Sequence, residues 1–264
     1  MKRIKIGVDL GSAGVGVRQG LDQAERMGVS GVQLDAAGDL TPRSLSQTGR
    51  RELIHLLRSH NLELAALGCP LRHDLDKAEG QDARIEHVCQ VMSLSFDLGA
   101  RRVVVQPGRI PEASESTRTR LLTEALLALG HYGDRTGTVL AIESGLEKGE
   151  MLKSFIEQFD TGGLGVCLDP ANFLISGLDP YQNARDLTTR VVYCQAKDAR
   201  ASGPNRAAQE VPLGHGNLDW MQFLSVLEEI DYRGWLTVKR ESGSNRLGDI
   251  TAGVQFLRRF VGPA

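Results

Sequence analysis

Several features are missing from this chain, and each absence narrows the reading. There is no excess of either charge: 31 Lys and Arg stand against 33 Asp and Glu, a formal net charge of -2. A chain so balanced lacks the basic footprint that grips a phosphate backbone, so nucleic acid is not an expected partner. No apolar run approaches the roughly 20 residues that cross a bilayer, and the opening Met1 to Val8 reads as a strand rather than a signal peptide. The expectation is a cytoplasmic protein with no membrane partner. The four cysteines, Cys69, Cys89, Cys167 and Cys194, are widely spaced and form no CxxC pair, which argues against a zinc knuckle or a disulfide framework and for small buried side chains. No linker, low-complexity tract or break in composition divides the chain, so residues 1–264 are expected to form one domain.

What is present is a repeating alternation. Short apolar, β-branched runs recur at residues 4–10, 31–34, 62–67, 102–106, 139–143, 165–169, 191–196 and 235–238, which makes eight candidate strands. Between them lie segments with helical period, such as Ile85, Val88, Cys89 and Met92, then Leu121, Leu122, Ala125, Leu126 and Leu129, and finally Ile250, Val254 and Leu257. Strands alternating with helices pair in parallel through right-handed crossovers, and eight of them close rather than leave two edges exposed. The fold class is therefore α/β, a single (β/α)8 TIM barrel, whose usual size matches 264 residues; a doubly wound open sheet is the structural alternative. Thr41-Pro42 resembles an N-cap with proline in the first helical turn, and Gly99, Gly130 and Gly234 stand where helices should end. The longest irregular segment, Asp198 to about Asn217 through Ala201-Ser202-Gly203-Pro204-Asn205-Arg206, follows the seventh strand, where a long loop tends to serve function.

In such a barrel the chemistry sits at the carboxyl ends of the strands. Here the fifth strand ends in Glu143, the sixth in Asp169, the seventh carries Gln195, Lys197 and Asp198, and the eighth carries Lys239 and Glu241. Any one of these carboxylates has an ordinary alternative as a helix cap or an arginine partner. Glu143 and Asp169 are nonetheless hard oxygen donors suited to Mg, Mn or Zn, and either could move a proton. Gln33, Asp35, Cys69 and Gln106 are weaker candidates for the pocket wall, read more simply as loop or cap contacts.

With these residues in hand, the chain resembles the xylose isomerase-like TIM barrels, the superfamily of sugar and sugar-phosphate isomerases and epimerases, inosose dehydratases and endonuclease IV. The resemblance covers nearly the whole chain. It is carried by Ala141-Ile142-Glu143-Ser144, Asp169-Pro170-Ala171-Asn172, Gln195-Ala196-Lys197-Asp198 and Gly234-Trp235-Leu236-Thr237-Val238-Lys239-Arg240-Glu241, with Pro212-Leu213-Gly214-His215-Gly216 as a further familial segment. It implies a divalent metal held by Glu, Asp, His and Glu from strands five to eight, which assigns metal ligation to Glu143 and Asp169 and, by position, to Gln195 and Glu241. Two of those positions depart from the pattern: Gln195 stands where relatives carry histidine, and Lys239 where many carry glutamate. An amide oxygen still binds a hard cation, and Glu241, of the same strand parity as Lys239, offers a substitute carboxylate. Alternatively the Lys239 ammonium takes the metal's place: two unit charges about 4 Å apart attract by ~4 kcal/mol at an effective dielectric of 20.

The chemistry implied is proton transfer next to a carbonyl of a sugar or sugar phosphate, with Glu143 and Glu241 as the catalytic bases, Lys239 assisting or replacing a divalent cation (Mn, Mg, Zn or Co), and Asn172, Lys197 and His215 binding substrate. The resemblance also implies a homo-oligomer. The competing reading is a metal-free, non-catalytic sugar-binding or regulatory barrel, favoured by Gln195 and Lys239. An endonuclease IV-like activity is disfavoured, because the six histidines, His55, His60, His73, His87, His131 and His215, do not fall at the strand ends a trinuclear zinc site requires.

Overall fold

The computed structural model describes residues 4–110, 116–201 and 208–261. Eight parallel strands, β1 (Lys5–Asp9), β2 (Gly31–Asp35), β3 (Glu63–Gly68), β4 (Arg102–Val105), β5 (Val139–Glu143), β6 (Leu164–Leu168), β7 (Val191–Ala196) and, last in the chain, β10 (Trp235–Val238), close on themselves in the order β1-β10-β7-β6-β5-β4-β3-β2. An antiparallel hairpin, β8 (Asp198–Ala201) with β9 (Ala208–Val211), stands apart from the barrel. The helices are α1 (Leu10–Ala13), α2 (Val17–Met27), α3 (Gln47–Ser59), α4 (Gln81–Asp97), α5 (Ser116–Thr136), α6 (Gly149–Glu157), α7 (Pro170–Ile175), α8 (Pro180–Asp186), α9 (Trp220–Glu229) and α10 (Arg246–Val261). Among the described residues no helix is long and apolar enough to cross a membrane.

The barrel closes because every strand must bury two faces, and the period of two sends alternate residues to two different cores. On β5, Leu140 and Ile142 pack outward under the helices with Val166, Leu126 and Leu129, whereas Ala141 points inward. The inner core is small: Ala65, Ala66, Val104, Ala141, Cys167, Tyr193 and Trp235. Two aromatic rings do most of the filling. Trp235 lies over Gly7 and Gly31, where a Cβ on Gly31 would come within 2.6 Å of the indole. The buried Tyr193 hydroxyl is paired with Thr237 Oγ1 at 2.6 Å, so its polar tip is satisfied. This plug closes the barrel below and leaves the inward residues above it facing a mouth.

The eight expected strands are all present, and the sheet is closed rather than open. Cys69, Cys167 and Cys194 are buried, Cys89 is half-buried, and all four are free thiols. Four local expectations need correction. Thr41 does not cap a helix: it caps only a short turn, accepting from Ser44 N, while α3 begins at Gln47 with Ser46 as its cap, accepting from Gly49 N. Gly130 does not end a helix but lies inside α5, because a Cβ there would meet Thr161 at 2.6 Å; the glycine lets the helix pack against the residues leading into β6. Gly234 ends no helix either, since α9 stops at Glu229, and it fits beneath the Tyr232 ring just before β10. The segment after β7 is not wholly irregular, as β8 and β9 pair in it; Ser202, Gly203, Pro204, Asn205 and Arg206 lie outside the described residues.

Candidate active site

Inward parity carries Asp9, Gln33, Asp35, Glu143, Asp169, Gln195, Lys197 and Lys239 past the aromatic plug to the carboxyl ends of their strands or just beyond. A cavity of about 360 Å³ opens there, within the usual range for a small-molecule site. Glu143, Lys239 and Glu241 reach its wall, as do Gln33, Asp35, Cys69 and Gln106, the four weaker candidates. Asp169, Gln195, Lys197 and Asn172 do not line it; the first three form a buried layer behind the wall, with the half-buried Asn172 against Lys197.

Two ammonium groups organise this layer. Lys239 Nζ lies 3.0 Å from Glu143 Oε1 and 3.0 Å from Glu241 Oε1, bridging the two carboxylates. Lys197, only 3% exposed, sits 3.0 Å from Asp169 Oδ2 and pairs with Glu241 Oε2. Gln195 donates from Nε2 to Glu143 Oε1 at 2.9 Å. Burial favours the neutral amine of both lysines, but the carboxylates around them outweigh it: Asp169 and Glu241 hold the Lys197 ammonium above its ordinary range, and Glu143, Asp9 and Glu241 do the same for Lys239. The same balance acts on Glu241, where burial would raise the carboxyl but Lys239 and Lys197 pull it down to about 2. Asp169 goes the other way; complete burial raises it despite Lys197.

Asp169 is also the N-cap of α7, accepting from Asn172 N at 3.0 Å with Pro170 in the first turn, so its backbone role is the ordinary one. Asn172 Oδ1 in turn accepts from Lys197 at 3.3 Å. Asp198 is structural: its carboxylate collects the N–H groups of Ala199, Gly214, Gly216 and Leu218 and the Trp220 indole. That draws in the Gly214-His215-Gly216 turn and leaves His215 exposed, away from the cavity. Of the other histidines, His55, His87 and His131 lie in helices, His60 caps α3, and His73 is exposed in the loop after β3.

Other participants carry little sequence signal of their own. Glu210, on β9, accepts the backbone N–H of Glu241 and of Ser242, each at 2.9 Å, and pairs with Arg240 at 3.2 Å, so the hairpin fixes the height at which Glu241 stands. Arg240, of opposite parity to Lys239, turns outward and also binds Asp249 on α10. Asp9 ends β1 and lines the cavity opposite Glu143; its one clue is a strand end beside Leu10-Gly11-Ser12, which the apolar run through Leu10 disguises as strand interior.

The donor set does not fit a divalent metal at the place the resemblance implies. Glu143, Asp169, Gln195 and Glu241 do come together, but the oxygens a metal would need are shared with two ammoniums, and Gln195 offers Glu143 an N–H instead of a lone pair. Its Oε1 is buried without a partner, a single neutral donor beside two fixed positive charges. Among the described residues there is no group of three His, Cys, Asp or Glu able to hold a metal ion.

Comparison with known proteins sets this geometry in a family. Residues 21–260 match the family model described as xylose isomerase-like TIM barrel. Among solved structures, a xylose isomerase domain protein from Planctomyces limnophilus is 22% identical with a TM-score of 0.86, covering 99% of this chain and 100% of the other. A D-tagatose 3-epimerase-like protein is 17% identical with a TM-score of 0.81 over 98% and 97% of the two chains. A xylose isomerase-like TIM barrel protein from Mycobacterium smegmatis, in complex with magnesium, is 15% identical with a TM-score of 0.78 over 98% of each. No curated protein sequence matches the chain. With the barrel, the polar strand ends and the match over residues 21–260 all in agreement, the chain belongs to the xylose isomerase-like TIM barrel family.

Proposed function

We propose that the protein is a sugar isomerase or epimerase that moves a proton next to a carbonyl and uses the Lys239 ammonium where metal-dependent relatives use a cation. The observation that carries this reading is the bridge at the cavity wall: two carboxylates, Glu143 and Glu241, held by one ammonium at 3.0 Å from each. One carboxylate takes the proton from the carbon beside the carbonyl. The electron pair moves into the carbonyl oxygen, whose growing negative charge is met by Lys239 as substrate displaces it from a carboxylate. For epimerisation the other carboxyl, protonated from solvent once the ammonium has left it, gives its own proton to the opposite face and is left ionised while the first keeps the abstracted one. For isomerisation the first carboxyl returns the abstracted proton to the neighbouring carbon. Displacement matters most for Glu241, which at about 2 is too weak a base until an ammonium leaves it. Lys197 and Asn172 position Asp169 and Glu241 rather than touch substrate.

The test is loss of the carbon-bound proton in D2O, followed by proton NMR over a panel of ketoses and aldoses with and without EDTA. Exchange that survives the chelator and falls by roughly 10²–10⁴-fold in Glu143→Gln supports the proposal. Exchange abolished by EDTA and restored by Mn overturns the lysine's role and returns the metal. The second reading, a non-catalytic sugar-binding barrel, is favoured by the saturation of all three carboxylates by lysines; a sugar that raises the melting temperature yet shows no exchange decides for it.

A further inference from the structure

The opposite wall of the cavity holds acceptors with nothing to accept from. Asp9 and Gln33 face each other across the β1–β2 register, and Gln33 and Asp35 share inward parity on β2. Gln33 Nε2 donates to Asp9 Oδ2 at 3.0 Å, which fixes the amide's orientation, since a flipped amide would set oxygen against oxygen. Gln33 Oε1 is thereby left without a partner, in a side chain only 2% exposed. The carboxylate of Asp35, a half-buried residue at the cavity wall, accepts no hydrogen bond or ion pair from any described side chain or backbone group. Its carboxylate is held in a slot cut by two glycines: a Cβ on Gly11 would come within 2.3 Å of it, and one on Gly68 within 2.2 Å. The nearby cation, Lys239, has its short contacts to Glu143 and Glu241 instead.

The cavity as a whole carries the same bias, with five carboxylates in its lining against the two cations Lys239 and Arg246. An ammonium brings three N–H donors and one positive charge, and meets here two carboxylates and one amide oxygen. A phosphate would bring only further acceptors and negative charge. Resting on the sugar reading above, we propose that Asp9, Gln33 and Asp35 form a subsite for a protonated amine, so that the preferred substrate is an amino sugar or aminocyclitol rather than a sugar phosphate. The cluster's own electrostatics agree. Burial raises Asp9 to about 7, with Lys239 lowering it and Asp35 and Glu241 raising it further, while burial also raises Asp35 against Lys239, helped by Glu143 and Glu241. A cation bound between them favours the ionised carboxylates, so binding near neutral pH releases a proton.

The experiment is calorimetric titration of the whole protein at pH 7, in two buffers of different ionisation enthalpy. The ligands are D-glucose, D-galactose and D-mannose, their 2-amino-2-deoxy analogues and their 6-phosphates, and separately MgCl2 and MnCl2 alone. The expected result is an amino sugar binding at least tenfold tighter than its parent, with net proton release, phosphates weakest, and Asp35→Asn bringing the amino sugar down toward the parent. Asp35→Asn is nearly isosteric, and its melting curve establishes that it is folded. Parents or phosphates binding tightest in every set, or an amine preference unchanged in Asp35→Asn, overturns the subsite; if the parent sugars still bind and exchange their protons, the isomerase reading stands without it. Mg or Mn binding alone, lost in Asp35→Asn, overturns the amine assignment in favour of a metal. Absence of binding and exchange with every sugar overturns the subsite and the isomerase reading together.

Discussion

The two walls of the mouth use the same residue type to opposite effect. On the wall built by β5, β6, β7 and β10, every carboxylate has an ammonium within hydrogen-bonding distance, and Glu241 is pulled down to about 2. On the wall built by β1 and β2, the carboxylates have no such neighbour, and Asp9 rises to about 7. Burial acts in the same direction on both; the difference lies in whether the chain supplies the cation itself or leaves it to the ligand. The first wall is a closed electrostatic circuit ready to stabilise a transient charge. The second is an open one, with acceptors waiting.

The comparison can be broken most forcefully at Lys197. Replacing it with methionine leaves Asp169 buried without a counter-charge, and the expected cost is about 3 kcal/mol in chemical denaturation at pH 7, partly recovered at pH 5 as Asp169 takes up a proton. Next in size is a conversion of the closed wall into a metal site. Gln195→His combined with Lys239→Glu restores the ligand types implied by the resemblance, and saturating Mn should then raise stability by roughly 2.7 kcal/mol at a hundred times its Kd, while the unaltered protein shows no shift. Absence of a shift in the double variant would mean that Lys197, not Lys239, is what excludes the cation.

On the open wall, Asp9→Asn should stabilise the protein at pH 8. The sign follows from the raised carboxyl. Below about 3.8 the folded and unfolded forms of the native chain are both protonated at Asp9 and it costs nothing; as pH rises toward about 7 the unfolded chain ionises first and stability is lost, after which the deficit is constant. The gain in Asp9→Asn should therefore be negligible near pH 3.5, grow to about pH 7 and then level off, as read from urea midpoints across that range. The smallest effect is expected at Glu210→Gln, which keeps an acceptor for only one of the Glu241 and Ser242 N–H groups and loses the charge facing Arg240. A cost of about 1 kcal/mol or less is expected, with kcat lowered more than KM as Glu241 loses its fixed height.

Much of this architecture is legible in the order of the amino acids. Ala141-Ile142-Glu143 and Val166-Cys167-Leu168-Asp169 read as strands with polar ends because the physics is local: β-branched and apolar runs of that length, between helices, have one way to bury both faces. Elsewhere the local chemistry is ambiguous. Gly130 looks like a helix terminator, and only the approach of Thr161 from 31 residues away shows that it is a packing notch. Thr41-Pro42 has the form of a cap, yet whether a helix follows depends on the apolar face offered by Leu53 and Leu57, which starts later. Asp9 has no distinguishing local pattern; along the chain it is one more residue near the end of an apolar run, and its burial against Gln33 depends on β2.

By itself, then, the sequence determined the number of barrel strands, their order of polarity and which positions face inward, since these follow from periodicity and from the entropic preference for short connections. It also put lysine and glutamine where a glutamate and a histidine were expected. The tertiary structure alone decided the pairing: that Lys239 binds Glu143 from 96 residues away, that Lys197 claims Asp169, and that the Asp35 carboxylate accepts no hydrogen bond from the described residues. Charge pairing depends on distances of about 3 Å and on local burial, and neither is set until the barrel closes.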